Sequence, residues 1–187
     1  MSFEADESVP LQYRCDQSVS IAGDCVSIQL SAHNLSAHRI PVGFGLHPYF
    51  ADRGHAIIKA EVPAQWRWDQ EMMPVSIEGN PDAERFRRGQ PVSELPITAE
   101  YADWSGRAVI DWPKTQLRVD LKTSPPLSHV VMWMPTGEDF FCFEPVSHAT
   151  DALNRQAAQR QAGDFRIVEP NATAEQRFDF FVSCPDS

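Results

Sequence analysis

The chain has 187 residues, 42% hydrophobic and 22% charged, with 11 Phe and 5 Trp. This length predicts one domain, 1–187, that buries about 70% of its unfolded surface, and the composition excludes intrinsic disorder. Sixteen basic against 26 acidic residues leave a formal charge of -10, so the mean field repels phosphate backbones and anionic lipid; neither nucleic acid nor a membrane is an expected partner.

Met1 to Pro10 carries Glu4, Asp6 and Glu7 and no apolar run. No stretch of the chain is apolar for long enough to span a bilayer, and the expected location is cytoplasmic. Gly23-Asp24 then separates Val19 and Ile21 from Val26, Ile28, Leu30 and Ala32, which alternate with Ser27, Gln29 and Ser31. Period-2 alternation places one apolar set on one face of a strand, and the intervening pair predicts a hairpin. The segment Gln70 to Pro96 is rich in charge and proline and has little periodicity, so it reads as a long excursion from the sheets, of the kind that often carries function. Strand patterns return at Arg107 to Trp112, Leu117 to Leu121, His129 to Met134, Asp139 to Phe143 and Phe178 to Val182, bounded by Pro, Gly or Asp. Thr150 to Gly163 has a cap, an Ala- and Gln-rich interior and a glycine stop, which fits a short surface helix or a loop. Fifteen scattered prolines suit many short segments better than long helices. The fold class is all-β.

Cys15, Cys25, Cys142 and Cys184 are far apart and form no Cys-x-x-Cys pair, so they read as small buried hydrophobes, with no disulfide framework and no structural metal. The six histidines form no His-Glu-x-x-His helix, which leaves a zincin unsupported.

Two segments stand out for chemistry. In Pro41-Val42-Gly43-Phe44-Gly45-Leu46-His47-Pro48-Tyr49-Phe50, two glycines let the backbone bend and Pro48 keeps His47 out of helical geometry. A histidine fixed in this way is a candidate general acid or base; the plainer reading is a core imidazole bonded to a carbonyl. In Phe140-Phe141-Cys142-Phe143-Glu144-Pro145-Val146-Ser147-His148, a carboxylate ends a run of four apolar residues before a proline, where a buried strand leaves its sheet. Desolvation there raises the Glu144 pKa and improves it as a proton acceptor; the plainer reading is a solvated strand end.

Taken together, Gly-x-His-Pro-Tyr-Phe and Phe-Cys-Phe-Glu-Pro-Val-Ser-His, about one hundred residues apart with Asp103 to Pro113 between them, resemble the aldose 1-epimerase (galactose mutarotase-like) family from Tyr13 to Val182. The resemblance implies an antiparallel β-sandwich and an isomerase that interconverts the α and β anomers of a free monosaccharide. It assigns Glu144 as the base at the C1 hydroxyl and His47 as the acid at the ring oxygen, with no metal or organic cofactor. Tyr49, Phe50, Thr98, Trp104 and His148 become the sugar-binding candidates, Thr98 standing where the family carries an Asp, with Glu100 as its nearby substitute. The family's N-terminal strands, which carry further sugar contacts, have no counterpart, so the expected alternative to an enzyme is a catalytically weak or inactive carbohydrate-binding module. Exposed apolar faces left by that truncation predict a homodimer. The expected ligand is a hexose; Arg85, Arg87 and Arg88 read either as a phosphate clamp for a hexose phosphate or as a solvated loop.

Overall fold

The computed structural model describes residues 1–5, 11–71, 73–154 and 165–184. Two antiparallel sheets dominate. The larger runs, edge to edge, β1 (Ser2–Glu4), β2 (Tyr13–Ala22), β3 (Cys25–Asn34), β16 (Thr173–Ser183), β12 (Leu117–Ser124), β11 (Arg107–Trp112), β6 (Ile57–Ala60) and β9 (Gln90–Pro91). The smaller runs β5 (Tyr49–Ala51), β14 (Phe140–Val146), β13 (His129–Trp133), β10 (Thr98–Ala102), β7 (Ala64–Trp68) and β8 (Pro74–Gly79). A third pairing joins β4 (Ile40–Val42) to β15 (Arg166–Val168). The fold is all-β, as the strand patterns predict, and is the antiparallel β-sandwich that the family resemblance implies.

Period 2 decides what lies between the sheets. From the larger sheet come Ile58, Ala108, Ile110, Trp112, Leu121 and Phe178; from the smaller come Tyr101, Val130, Met132, Phe141 and Phe143, all in one buried cluster. Phe141, Phe143 and Phe178 are wholly enclosed, so truncating any of them to Ala removes about 3–5 kcal/mol of stability. The residues between these, such as Cys142 and Glu144 in β14, necessarily face outward from the sandwich. That outward face of the smaller sheet is where the chemistry lies.

The expected hairpin is present. Gly23 adopts φ +60°, and Ile21 pairs with Val26 and Val19 with Ile28. Val26 and Ile28 pack against the core, but Val19 and Ile21, paired with them and so on the same face, remain exposed.

Three expectations need correction. Gln70 to Pro96 is no excursion: it contributes the edge strand β8, the strand β9 and the short helix α1 (Ala83–Arg88), whose Phe86 is fully buried. Strand β14 continues through Glu144 and Pro145 to Val146, so Glu144 lies inside the strand. The proline is tolerated because the Pro145 carbonyl accepts from the Leu46 N–H at 3.1 Å; its proton-less nitrogen points the same way, off the β13 ladder. Of the cysteines, only Cys142 is buried, Cys15 and Cys25 are half-buried and Cys184 is exposed. Within the helix expected over Thr150 to Gly163, Ala152–Asn154 forms one 3-10 turn, and 155–163 lie outside the described residues.

Candidate active site

The site is assembled by a clamp between two distant segments. Gly45 forms an isolated bridge with Val146, the Ser147 N–H donates to the Phe44 carbonyl at 2.8 Å, and the Phe44 N–H donates to Ser147 Oγ at 2.9 Å. Four residues beyond Gly45 β5 begins, pairing Tyr49 with Cys142. Gly45 is required for the close approach, since a Cβ there would stand 2.8 Å from Val146 Cγ1. His47 is held between these anchors, where Pro48 disfavours helical geometry. The result is an imidazole Nε2 3.4 Å from Glu144 Oε1.

The two groups differ in exposure. The Glu144 side chain is 14% exposed and that of His47 is 50% exposed, so the carboxylate lies underneath and the imidazole at the mouth. Burial pushes the Glu144 carboxyl above the usual carboxylate range, while the neighbouring His47 pulls it partly back. This is the direction that suits a proton acceptor. Aromatic rings form the surroundings: Tyr49 stacks on His47 with centroids 5.0 Å apart, Trp133 meets the His47 ring edge-on at 6.1 Å, and Phe140 lies against both Tyr49 and Trp133. Beneath them Cys142 is buried, its thiol pushed up to about 11 by burial and then by the charge of Glu144.

The sequence-based candidates divide along strand alternation. Tyr49 reaches the site. Thr98 pairs with Trp133 and so shares its face, one strand further out. Phe50 does not reach it: paired with Phe141, it turns inward and packs on Phe141 and Trp112. Trp104 is likewise a core residue, its indole N–H donating to the Arg107 carbonyl at 2.9 Å and its ring edge-on to Phe143. His148 follows the strand and packs on Phe165, with ring centroids 4.2 Å apart, in the space Gly43 leaves by lacking a Cβ. Its Nδ1 lies 2.8 Å from Ser147 Oγ, and burial lowers its pKa. It buttresses the clamp. Glu100 is buried and accepts from the Thr150 N–H at 3.0 Å, which ties it to the loop after β14. Arg87 and Arg88 both pair with Glu84 at 2.9 Å, and Arg85 pairs with Glu94, as a solvated reading requires.

Sequence reasoning missed Trp133, Phe140 and Cys142 as site residues. Two of these were accessible, since Phe140, Cys142 and Glu144 alternate along one strand; Trp133 needed the β13–β14 pairing. A groove of about 670 Å³ between Lys59, Arg107 and Lys122 opens on the outward face of the other sheet, on strands apart from His47 and Glu144.

This antiparallel sandwich is a galactose mutarotase-like architecture. A galactose mutarotase-like protein of Clostridium acetobutylicum superposes with a TM-score of 0.85 at 16% identity, over 97% of this chain and 61% of that one. A crystal structure from Escherichia coli K12, provisionally named an aldose 1-epimerase, gives 0.84 at 25% identity, over 97% and 64%. In sequence, YphB of Escherichia coli (strain K12), itself uncharacterized, is 28% identical over 178 residues, 91% of this chain and 60% of that protein. The sequence profile of the aldose 1-epimerase family matches residues 1–180, and the chain belongs to that family. It spans about 60% of the length of the curated relative it matches.

Proposed function

We propose that the protein is an aldose 1-epimerase acting on a free monosaccharide, with Glu144 as base and His47 as acid. The observation that carries this reading is the 3.4 Å separation of Nε2 and Oε1 at an open mouth. The C1 hydroxyl oxygen and the ring oxygen are bonded to the same carbon, so the two proton-transfer groups must stand within a few ångströms of each other. Glu144 takes the C1 hydroxyl proton as the bond from C1 to the ring oxygen breaks, and protonated His47 gives its proton to the ring oxygen. The chain-form aldehyde rotates about C1–C2. Closure on the other face returns the ring-side proton to His47 and the Glu144 proton to the C1 oxygen, so both groups end as they began. No redox or group-transfer step is involved.

The wall of Tyr49, Trp133 and Phe140 supports a sugar ligand, because aromatic faces bury the C–H side of a pyranose while its hydroxyls remain at the polar mouth. The engagement of Arg85, Arg87 and Arg88 by acids supports an unphosphorylated sugar. Polarimetry on freshly dissolved α-glucose and α-galactose tests the reading: catalysed mutarotation that Glu144→Gln abolishes supports it. Saturable sugar binding without acceleration would replace it with a carbohydrate-binding module.

A further inference from the structure

Beneath the acid–base pair lies a group the reaction above does not use. Cys142 Sγ, a ring nitrogen of His47 and a carboxylate oxygen of Glu144 all stand within 4.8 Å of one another, a thiol, an imidazole and a carboxylate grouped around one point. Two donors held about 2.0–2.1 Å from a tetrahedral ion are about 3.4 Å apart, which is the separation of the His47 and Glu144 donors. A zinc-bound sulfur stands about 3.5 Å from its fellow donors, so at most about 1.3 Å of closure is needed. Side-chain rotation of Glu144 and of the half-exposed His47 ring can supply that movement. Soft sulfur with imidazole nitrogen favours zinc or cobalt over magnesium or calcium, which prefer all-oxygen cages. Three protein donors with a solvent-facing fourth position are the arrangement of an open zinc site.

We propose that His47, Cys142 and Glu144 form a three-donor binding site for Zn²⁺, and that zinc and sugar turnover exclude each other there. The binding half stands on the three donors alone; the exclusion half rests on the acid–base reading, because the ion occupies the lone pairs that both proton transfers need. Zinc is thus an inhibitor of this site.

The test begins with chelator-treated, fully reduced protein titrated with Co²⁺. The expected result is a thiolate-to-cobalt charge-transfer band in the near ultraviolet, displaced by Zn²⁺. The band is lost in Cys142→Ser and kept in the triple variant Cys15→Ser, Cys25→Ser, Cys184→Ser, which separates this thiol from the other three. Zinc affinity, measured against a chromophoric chelator, falls at least ~10-fold in Cys142→Ser and in His47→Gln. A wild-type protein that binds Co²⁺ without the band, or a Cys142→Ser variant with unchanged zinc affinity, overturns the site. If Cys142→Ser does not fold, the wild-type and triple-variant spectra still decide. Mutarotation assayed in chelator and then in saturating zinc tests exclusion: undiminished turnover overturns that half. A protein with no turnover even in chelator defeats the acid–base reading while leaving the band to judge the metal site.

Discussion

On the outward face of the larger sheet, Lys59 meets Asp111 at 3.0 Å, Arg118 meets Asp120 at 2.7 Å and Arg177 meets Asp179 at 2.7 Å. On the outward face of the smaller sheet, Glu144 meets His47 at 3.4 Å under three aromatic rings. Both arrangements come from the same rule, that every second residue of a strand leaves the core. They differ in what surrounds the charge. In the first, guanidinium or ammonium groups face the carboxylates, and the hydrogen bonds that Arg118 and Arg177 donate to Asp120 and Asp179 raise the pKa of the two arginines. In the second, burial works against the ionised carboxylate and its partner is the one side chain that ordinarily exchanges protons near neutral pH. Reactivity here comes from the company a carboxylate keeps and its access to water.

The comparison breaks most visibly at Glu144. Glu144→Gln keeps the shape and removes the base, and catalysed mutarotation should fall about 10²–10⁴-fold by polarimetry. His47→Gln should cost about 10²-fold or more, with far-UV circular dichroism unchanged. A smaller effect concerns pH. Because the raised Glu144 pKa must be passed before the base is ionised, the acidic limb of kcat/KM should lie above the ordinary carboxylate range, and salt should move it little. The same shift has a stability sign. The folded state holds this proton more tightly than the unfolded state does, so stability falls as pH rises from the ordinary carboxylate range through the folded pKa. Urea unfolding near pH 4 and pH 7 should show that loss in wild type and less of it in Glu144→Gln. The smallest effect belongs to the other face: Arg118→Ala should change stability by about 0.2–1 kcal/mol and leave turnover unaltered. A large activity loss there would erase the distinction between the faces.

Much of this was legible in the chain. The alternation at Arg107 to Trp112 gave a strand with those bounds, and the His47-Pro48 and Glu144-Pro145 segments pointed to the two residues that meet. Phe50 and Trp104 were harder, because a ring beside a site in sequence turns to the opposite face one residue later. Phe50 follows Tyr49 directly and therefore faces the core. Trp133 was out of reach because its neighbours are set by registers between strands, which no local pattern encodes. Strands β8 and β9 and helix α1 were hidden for another reason. Their segment buries few side chains, among them Phe86 and Val92, so solvent-facing charges and prolines outweigh the apolar signal.

The position of β16 bears on how the chain comes to be folded. It lies between β3 and β12, so the last strand among the described residues is the one that joins the two halves of the larger sheet. While residues 173–183 are still within the ribosome, β3 and β12 each lack a neighbour and Phe178 is missing from the interior. Consolidation of the larger sheet therefore waits on this strand, and pairing over such long sequence separations makes it slow. Removing this strand would leave a three-stranded and a four-stranded piece of the larger sheet with no strand to join them.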